Sequence, residues 1–265
     1  MSDNGNLLAE QRRALILDEV RRRGGVRVNE LTRQLNVSDM TVRRDLDALA
    51  RTGMIEKVHG GAVRAEAART HEPGFEAKSA LELPAKEAIA RAAAALVHPG
   101  SAIALSGGTT THALARRLTG VERLTVVTNS IPVADVFERA RRRGDGAGAT
   151  VVLTGGVRTV SDALVGPVAD AAIRSLRFDL LFLGVHGLST GAGLSTPNLA
   201  EAETDRRFIA SARRVLVVAD HTKWGVVGLS SFAGLDEVDT WFTDAAMPPE
   251  AAEAAREQVR ELVLA

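Results

Sequence analysis

Two groups of residues in this chain of 265 have types and spacings suited to chemistry. The first lies within VSDMTVRRDLDALARTGMIEKVHGGAV, residues 37–63. Arg43 and Arg44 closely follow Thr41, and a guanidinium can pair bidentately with guanine or clamp a phosphate. Lys57 and His59 flank Gly60-Gly61 and would lie beside a sugar-phosphate backbone. The second group is five segments rich in small and hydroxyl residues: Ser106-Gly107-Gly108-Thr109-Thr110-Thr111, Thr128-Asn129-Ser130, Thr154-Gly155-Gly156, Gly184-Val185-His186-Gly187 and Asp220-His221-Thr222-Lys223. A Gly/Thr loop that opens a helix cradles phosphate through free N–H groups and the helix dipole. Asp220 and Lys223 are an acid/base pair that could also move a proton at a sugar.

The arginines need a helix to present them. Ser38 is a good N-cap, because its hydroxyl accepts from an N–H one turn later. Val42, Leu46 and Leu49 recur at i, i+4 and i+7 and build one apolar face. Thr41, Arg43 and Arg44 fall off that face, near the N-terminal end. Gly53 is placed to end the helix. Residues 55–58 read as a strand and Gly60-Gly61 as a tight turn. Earlier, Ala14, Leu15, Leu17 and Val20 mark a first amphipathic helix. Asn29 can cap a second, in which Leu31 and Leu35 are spaced i, i+4, and residues 36–38 turn into the third. Taken alone, an arginine pair on a helix is usually a solvated face. Helix, helix, turn, helix and wing together make a winged helix-turn-helix, whose third helix meets the major groove with its N-terminal end.

The second group needs a sheet. Pro84 suits the first turn of a helix to about residue 97. Apolar runs follow at 102–105, 124–128, 151–154, 180–185, 215–219 and 238–242. Helical segments lie between most of them, including 199–213, and a last helix covers about 249–262. Unbroken apolar strands separated by helices predict a mostly parallel sheet covered on both faces. Ligands of such sheets bind at the carboxyl ends of the strands, where all five polar segments fall. Each has a duller reading by itself: glycine pairs after strands are mostly turns, and Asp220 can be a helix cap. Arg141-Arg142-Arg143 and the glycines after them read as a surface loop.

The expected organisation is α/β with two domains. Residues 1–64 form the winged helix-turn-helix, 65–82 a linker, and 83–265 the mostly parallel domain. The linker has mixed charge, a Pro-Gly pair and little periodicity, although its AEAAR portion could extend as a helix. Net charge is zero over the chain, yet residues 12–64 hold twelve Lys/Arg against seven Asp/Glu, which leaves +5 there and −5 elsewhere. A basic head on an acidic body is expected when one domain meets phosphates. The absence of cysteine excludes disulfides, thiol nucleophiles and cysteine-based metal sites. The histidines show no HxxxH or HxH spacing, so no zinc site is expected. No signal-peptide pattern and no apolar run of about 18 residues is present, so the chain reads as cytoplasmic, without a membrane partner.

The segment RRALILDEVRRRGGVRVNELTRQLNVSDMTVRRDLDALARTGMIEKVHGGAV resembles the N-terminal domain of the DeoR/GlpR family of bacterial transcription regulators. The pieces VS-x-x-TVRRDL and HGGA, at this separation, carry the resemblance. The rest resembles the family's effector domain, similar in fold to ribose-5-phosphate isomerases and CoA transferases, so the likeness covers nearly the whole chain. It implies double-stranded operator DNA as a partner, met through Ser38, Thr41, Arg43, Arg44, Lys57, His59, Gly60 and Gly61. It implies a phosphorylated sugar as effector, with no cofactor. Gly108, Thr109, Thr110 and Thr111 would hold the phosphate, preceded by Ser106 and Gly107. Asn129, Ser130, Gly155, Gly156, Asp220 and Lys223 would line the sugar pocket. Where the family often carries an aspartate, this chain has Ser106, which leaves the preference among effector hydroxyls open. His186 and His221 leave adjacent strand ends and could reach the pocket or remain exposed loop residues. A homo-oligomer, dimer or tetramer, is also implied.

Three functions follow. The expected one is a regulator, not an enzyme: a repressor of carbohydrate-metabolism genes released by the effector. The alternative is an isomerase-type enzyme with a fused DNA-binding head, resting on Asp220 and Lys223, with Glu201 and Glu203 as further carboxylates. The third is a constitutive DNA-binding protein whose C-terminal domain only oligomerises.

Overall fold

The computed structural model describes residues 8–23, 25–51, 54–58, 60–64 and 74–265. The chain divides into two compact units, Met1–Leu81 and Glu82–Ala265.

The first unit runs α1 (Ala9–Arg23), β1 (Gly25–Arg27), α2 (Val28–Leu35), α3 (Asp39–Arg51), β2 (Ile55–Val58), β3 (Gly61–Arg64) and a short α4 (Phe75–Ser79). Helix α3 starts where its cap requires: Thr41 N donates to Ser38 Oγ over 3.2 Å. Val42, Leu46 and Leu49 are at most 2% exposed. They join Ile16, Leu17 and Val20 of α1, Leu31 and Leu35 of α2, and Ile55 of β2 in one apolar cluster. Fully burying such a side chain stabilises by about 1.5–3 kcal/mol, so this cluster holds α3 in place.

Two expectations for this unit are corrected. The inward face of α1 is Ile16, Leu17 and Val20, whereas Leu15 is 47% exposed and Ala14 is also exposed. At 3.6 residues per turn, Leu15 lies about 150° round the helix from the centre of that stripe. Asn29 does not cap α2, which begins at Val28 behind an extended Arg27 without a side-chain cap bond. Residues 25–27 are instead taken by β1, so the wing is a three-stranded antiparallel sheet in the order β1-β3-β2. That sheet explains Gly61, where a Cβ would lie 2.1 Å from the Val26 carbonyl oxygen. Gly53, His59 and residues 65–73 of the expected linker lie outside the described residues. The rest of that stretch contains α4, and Leu81 packs on the head's apolar cluster.

The second unit runs α5 (Leu83–Ala94), β4 (Ala102–Leu105), α6 (Thr109–Leu118), β5 (Thr125–Thr128), α7 (Ile131–Arg143), β6 (Thr150–Leu153), β7 (Val157–Arg158), β8 (Leu164–Val165) and α8 (Pro167–Arg174). It continues β9 (Phe178–Leu183), β10 (Gly187–Ser189), β11 (Gly193–Thr196), α9 (Leu199–Ser211), β12 (Ala212–Val218), β13 (Ser230–Ala233), β14 (Thr240–Thr243), α10 (Pro249–Arg256) and β15 (Leu262–Leu264). Seven strands form one sheet, β15-β14-β12-β9-β4-β5-β6, with every neighbouring pair parallel. Side chains alternate between its faces. Ile103, Leu105, Leu180 and Phe182 pack with α5, α6 and α7. Ala104, Leu181, Leu183 and Trp241 pack with α8, α9 and α10. The sheet is therefore covered on both sides, as its unbroken apolar strands require. From β4 the chain adds β5 and β6 on one side, then returns to add β9, β12, β14 and β15 on the other. The order reverses between β4 and β9, and the carboxyl ends flanking such a reversal form a crevice.

The expected last helix stops at Arg256, and residues 262–264 form the edge strand β15. Three apolar residues carry no periodicity, and pairing with β14 decides their conformation. Arg141, Arg142 and Arg143 belong to the last turn of α7, where cations suit the helix dipole, and Gly144 ends it at φ 74°. Two small elements were not foreseen: the hairpin β7–β8 and the sheet β10-β11-β13.

Candidate functional site

The third helix offers a polar surface at its N-terminal half. Met40, Arg43 and Arg44 are exposed and Thr41 is half-buried. The Ser38 and Thr41 hydroxyls lie 2.8 Å apart. Arg43 is held along the helix by Asp39, four residues back. Arg44 has no side-chain partner among the described residues and projects freely. Asp45 is 5% exposed and accepts from Arg12 Nε over 2.5 Å, which ties α1 to α3. That pair positions the helix and faces away from solvent. In the wing, Lys57 Nζ donates to Asp47 of α3 over 2.5 Å, and this bond holds the Asp47 carboxyl below its usual range. Gly60 turns at φ 80°. A phosphate approaching Lys57 must compete with Asp47.

In the second unit the first polar segment opens α6 at the point where strand order reverses. Ser106 N donates to Phe182 O over 3.1 Å, and Gly184 N donates to Ser106 Oγ over 3.0 Å, which clasps β4 to β9. Thr111 Oγ1 donates to Ser106 O over 2.8 Å. Asn129 Oδ1 accepts from Gly107 N over 2.9 Å while its Nδ2 donates to Leu164 O over 3.1 Å. Ser130 Oγ caps α7 by accepting from Val133 N. Ser106, Thr111, Asn129 and Ser130 are all at most 2% exposed. Their side chains build the loops, and what they leave outward is backbone. The first-turn N–H groups of a helix have no partner within it, and here they belong to Thr109, Thr110 and Thr111. The hydroxyls of Thr109 and Thr110 have no partner among the described residues. Together these N–H and O–H donors make a candidate anion cradle.

The other expected residues divide. Gly155 and Gly156 turn at φ 73° and 120°, and a Cβ on Gly156 would lie 2.5 Å from Val165 O. Backbone approach to β8 accounts for Gly156. Asp220, 1% exposed, accepts from Thr222 N over 3.1 Å and Thr222 Oγ1 over 2.5 Å. It caps the turn His221–Lys223, which Lys223 N closes on Asp220 O at 3.0 Å. His221 Nδ1 lies 2.9 Å from Asp244 Oδ2, and His221 N donates to Asp244 Oδ1 over 2.8 Å. The bond to Asp244 raises the His221 pKa against the effect of burial. Burial works to raise that of Asp244, but the bonds from His221 bring it below the usual range. His186 is half-buried in the loop after β9. Glu203 is a surface residue paired with Arg206 and Arg207, and Glu201 is buried.

Lys86 was missed by sequence reasoning. It is 5% exposed on α5, and it falls on the same stripe as Ile89, Ala90 and Ala93. A lysine in phase with an apolar stripe is the signal that would have found it, since lysine is almost never fully buried without a partner.

Comparison with known proteins matches both units. Residues 12–68 match the DeoR-like helix-turn-helix domain, and residues 82–245 match the DeoR C terminal sensor domain. The chain is 37% identical over 260 residues to an uncharacterized HTH-type transcriptional regulator, YgbI, of Escherichia coli strain K12, covering 98% of this chain and 99% of that protein. It is 32% identical over 256 residues to a putative aga operon transcriptional repressor of Escherichia coli O157:H7, covering 96% and 93%. Among solved structures, ribose 5-phosphate isomerase A of Methanocaldococcus jannaschii aligns at 16% identity over 52% of this chain and 53% of that one, with a TM-score of 0.37.

Proposed function

This chain belongs to the DeoR family of transcriptional regulators, and we propose that it represses carbohydrate-metabolism genes and leaves its operator when a phosphorylated sugar binds the second unit. The observation that carries this reading is the loop 106–111. It sits at the reversal between β4 and β9, its Ser106 and Thr111 side chains are turned inward, and it presents donors to an anion at the start of a ten-residue helix. A sugar phosphate supplies the anion, and its hydroxyls suit the neighbouring polar loops. The relatives described as a putative aga operon transcriptional repressor and a lactose phosphotransferase system repressor support the repressor reading.

Recognition of DNA falls to Arg43 and Arg44, with Lys57 on the backbone. One chain carries one recognition helix and reads one half-site, so the working species is a dimer or tetramer on a repeated or palindromic operator. Effector and operator are linked through the sensor, and each weakens the other by the same factor. Asp220 serves as a cap and Glu203 as a surface ion-pair partner, so the reading assigns no catalytic step and no cofactor. No helix among the described residues is long and apolar enough to cross a membrane, and we place the regulator in the cytoplasm. We assign residues 65–82 as the linker between the DNA-binding and sensor domains.

The test is a gel shift with the purified full chain and its upstream DNA, titrated with pentose and hexose phosphates. At least one should release the complex, while inorganic phosphate at the same concentration releases less. If none in the panel changes DNA binding, the effector reading is overturned.

A further inference from the structure

Glu201 lies in the first turn of α9 and is 9% exposed. Its Oε1 accepts from the Thr159 hydroxyl over 2.6 Å and from the Ser161 hydroxyl, and its Oε2 lies 3.5 Å from the Thr196 hydroxyl. Thr159 and Ser161 sit in the turn of the hairpin β7–β8. The far leg of that hairpin lies on the anion cradle. Ala163 bridges to Ser130, Leu164 N donates to Asn129 O over 2.7 Å, and a Cβ on Gly107 would come within 2.8 Å of Ala163 Cβ. A buried carboxylate is costly unless hydrogen-bonded. Here aliphatic hydroxyls bond to it, one hairpin away from a phosphate cradle, and the hydroxyls of a sugar are the same kind of donor.

We propose that Glu201 accepts hydroxyls of the effector sugar in exchange for those of Thr159 and Ser161, so that effector binding unlatches the β7–β8 hairpin. The proposal rests on the sugar-phosphate reading above. The carboxylate stays hydrogen-bonded in both states, so the exchange costs only the difference between like bonds. A ligand with a modest preference for the unlatched state can then shift the population of the hairpin. Glu201 thereby reads the sugar, while the loop 108–111 reads the phosphate.

The test is calorimetric titration of the full chain with inorganic phosphate, ribose 5-phosphate, glucose 6-phosphate and fructose 6-phosphate. It uses the wild type, Glu201→Gln, and the double variant Thr159→Val with Ser161→Ala, each checked by circular dichroism. The best sugar phosphate should bind Glu201→Gln ten-fold or more weakly. It should bind the double variant several-fold more tightly, because the competing donors are gone. Inorganic phosphate should bind all three alike. A clamp with only a structural role would weaken sugar binding in both variants, and that result overturns the proposal, as does unchanged binding to Glu201→Gln. If Glu201→Gln fails to fold, the sign of the change in the double variant decides alone. A wild type that binds phosphate but no sugar phosphate overturns the effector reading together with this one. A wild type that binds and responds while the variants match it overturns only the role of Glu201.

Discussion

The two units use their polar side chains in opposite directions. In the head, Arg43, Arg44 and Lys57 stand on the surface, and Arg43 and Lys57 rest against carboxylates of α3. In the sensor, Ser106, Thr111, Asn129 and Ser130 point inward and are bonded to backbone. On the proposed reading, DNA would be met by side chains carried on a rigid helix, whereas the anion would be met by amides in a loop that the side chains hold in shape. The same kind of substitution should cost affinity in one unit and stability in the other.

The largest effect should come from Asn129→Ala. It strips partners from Gly107 N and Leu164 O, and leaving a buried polar group unpaired costs about 1–3 kcal/mol each. Urea unfolding of the sensor transition should shift by about 2 kcal/mol or more, with the effector response lost. A variant that unfolds like wild type would break the contrast. Next comes Arg44→Ala, which should weaken operator binding about ten-fold or more in fluorescence anisotropy at fixed salt. Its unfolding midpoint should not move. Arg43→Ala should lose less, because Arg43 must first leave Asp39. Smaller still is Lys57→Ala: a few-fold loss on operator and random DNA alike, as befits a phosphate contact, with the salt slope reduced by about one. Loss on the operator alone would move Lys57 from backbone to bases.

The smallest effect concerns the pair His221–Asp244, an inward pair that titrates. The raised His221 pKa means its contribution is present below about pH 6.5 and is lost as pH rises through the folded value. The lowered Asp244 pKa means its contribution is present above pH 3.8 and is lost as pH falls through the folded value. His221→Gln should therefore depress the melting temperature most near about pH 5.5 and least near about pH 9. A depression independent of pH would show that the pair acts by packing.

Much of this was legible in the sequence, and the contrast explains what was not. The stripe Val42-Leu46-Leu49 announced α3 because periodicity reports burial directly, and the apolar runs announced the central strands for the same reason. The strand β1 was hidden, because Gly25-Val26-Arg27 is too short to show a period. The strand β15 was hidden likewise. Residue type located the loops at 106–111 and 128–130 but not the direction of their side chains. Whether Asn129 faces a ligand or Leu164 depends on a hairpin 35 residues away.

The ion pairs Arg43–Asp39 and Lys57–Asp47 bear on how the protein travels through a genome. A cation already matched to its own carboxylate displaces fewer ions from arbitrary duplex, and that displacement supplies most non-specific adhesion. Stays at wrong addresses are shortened. Where the bases reward a freed guanidinium, the broken pair is offset and the protein remains. Against about a million or more competing positions, the carboxylates beside the proposed reading arginine and wing lysine would act as a brake on loitering, and the time to find the right site would be set partly by how readily the wrong ones are left.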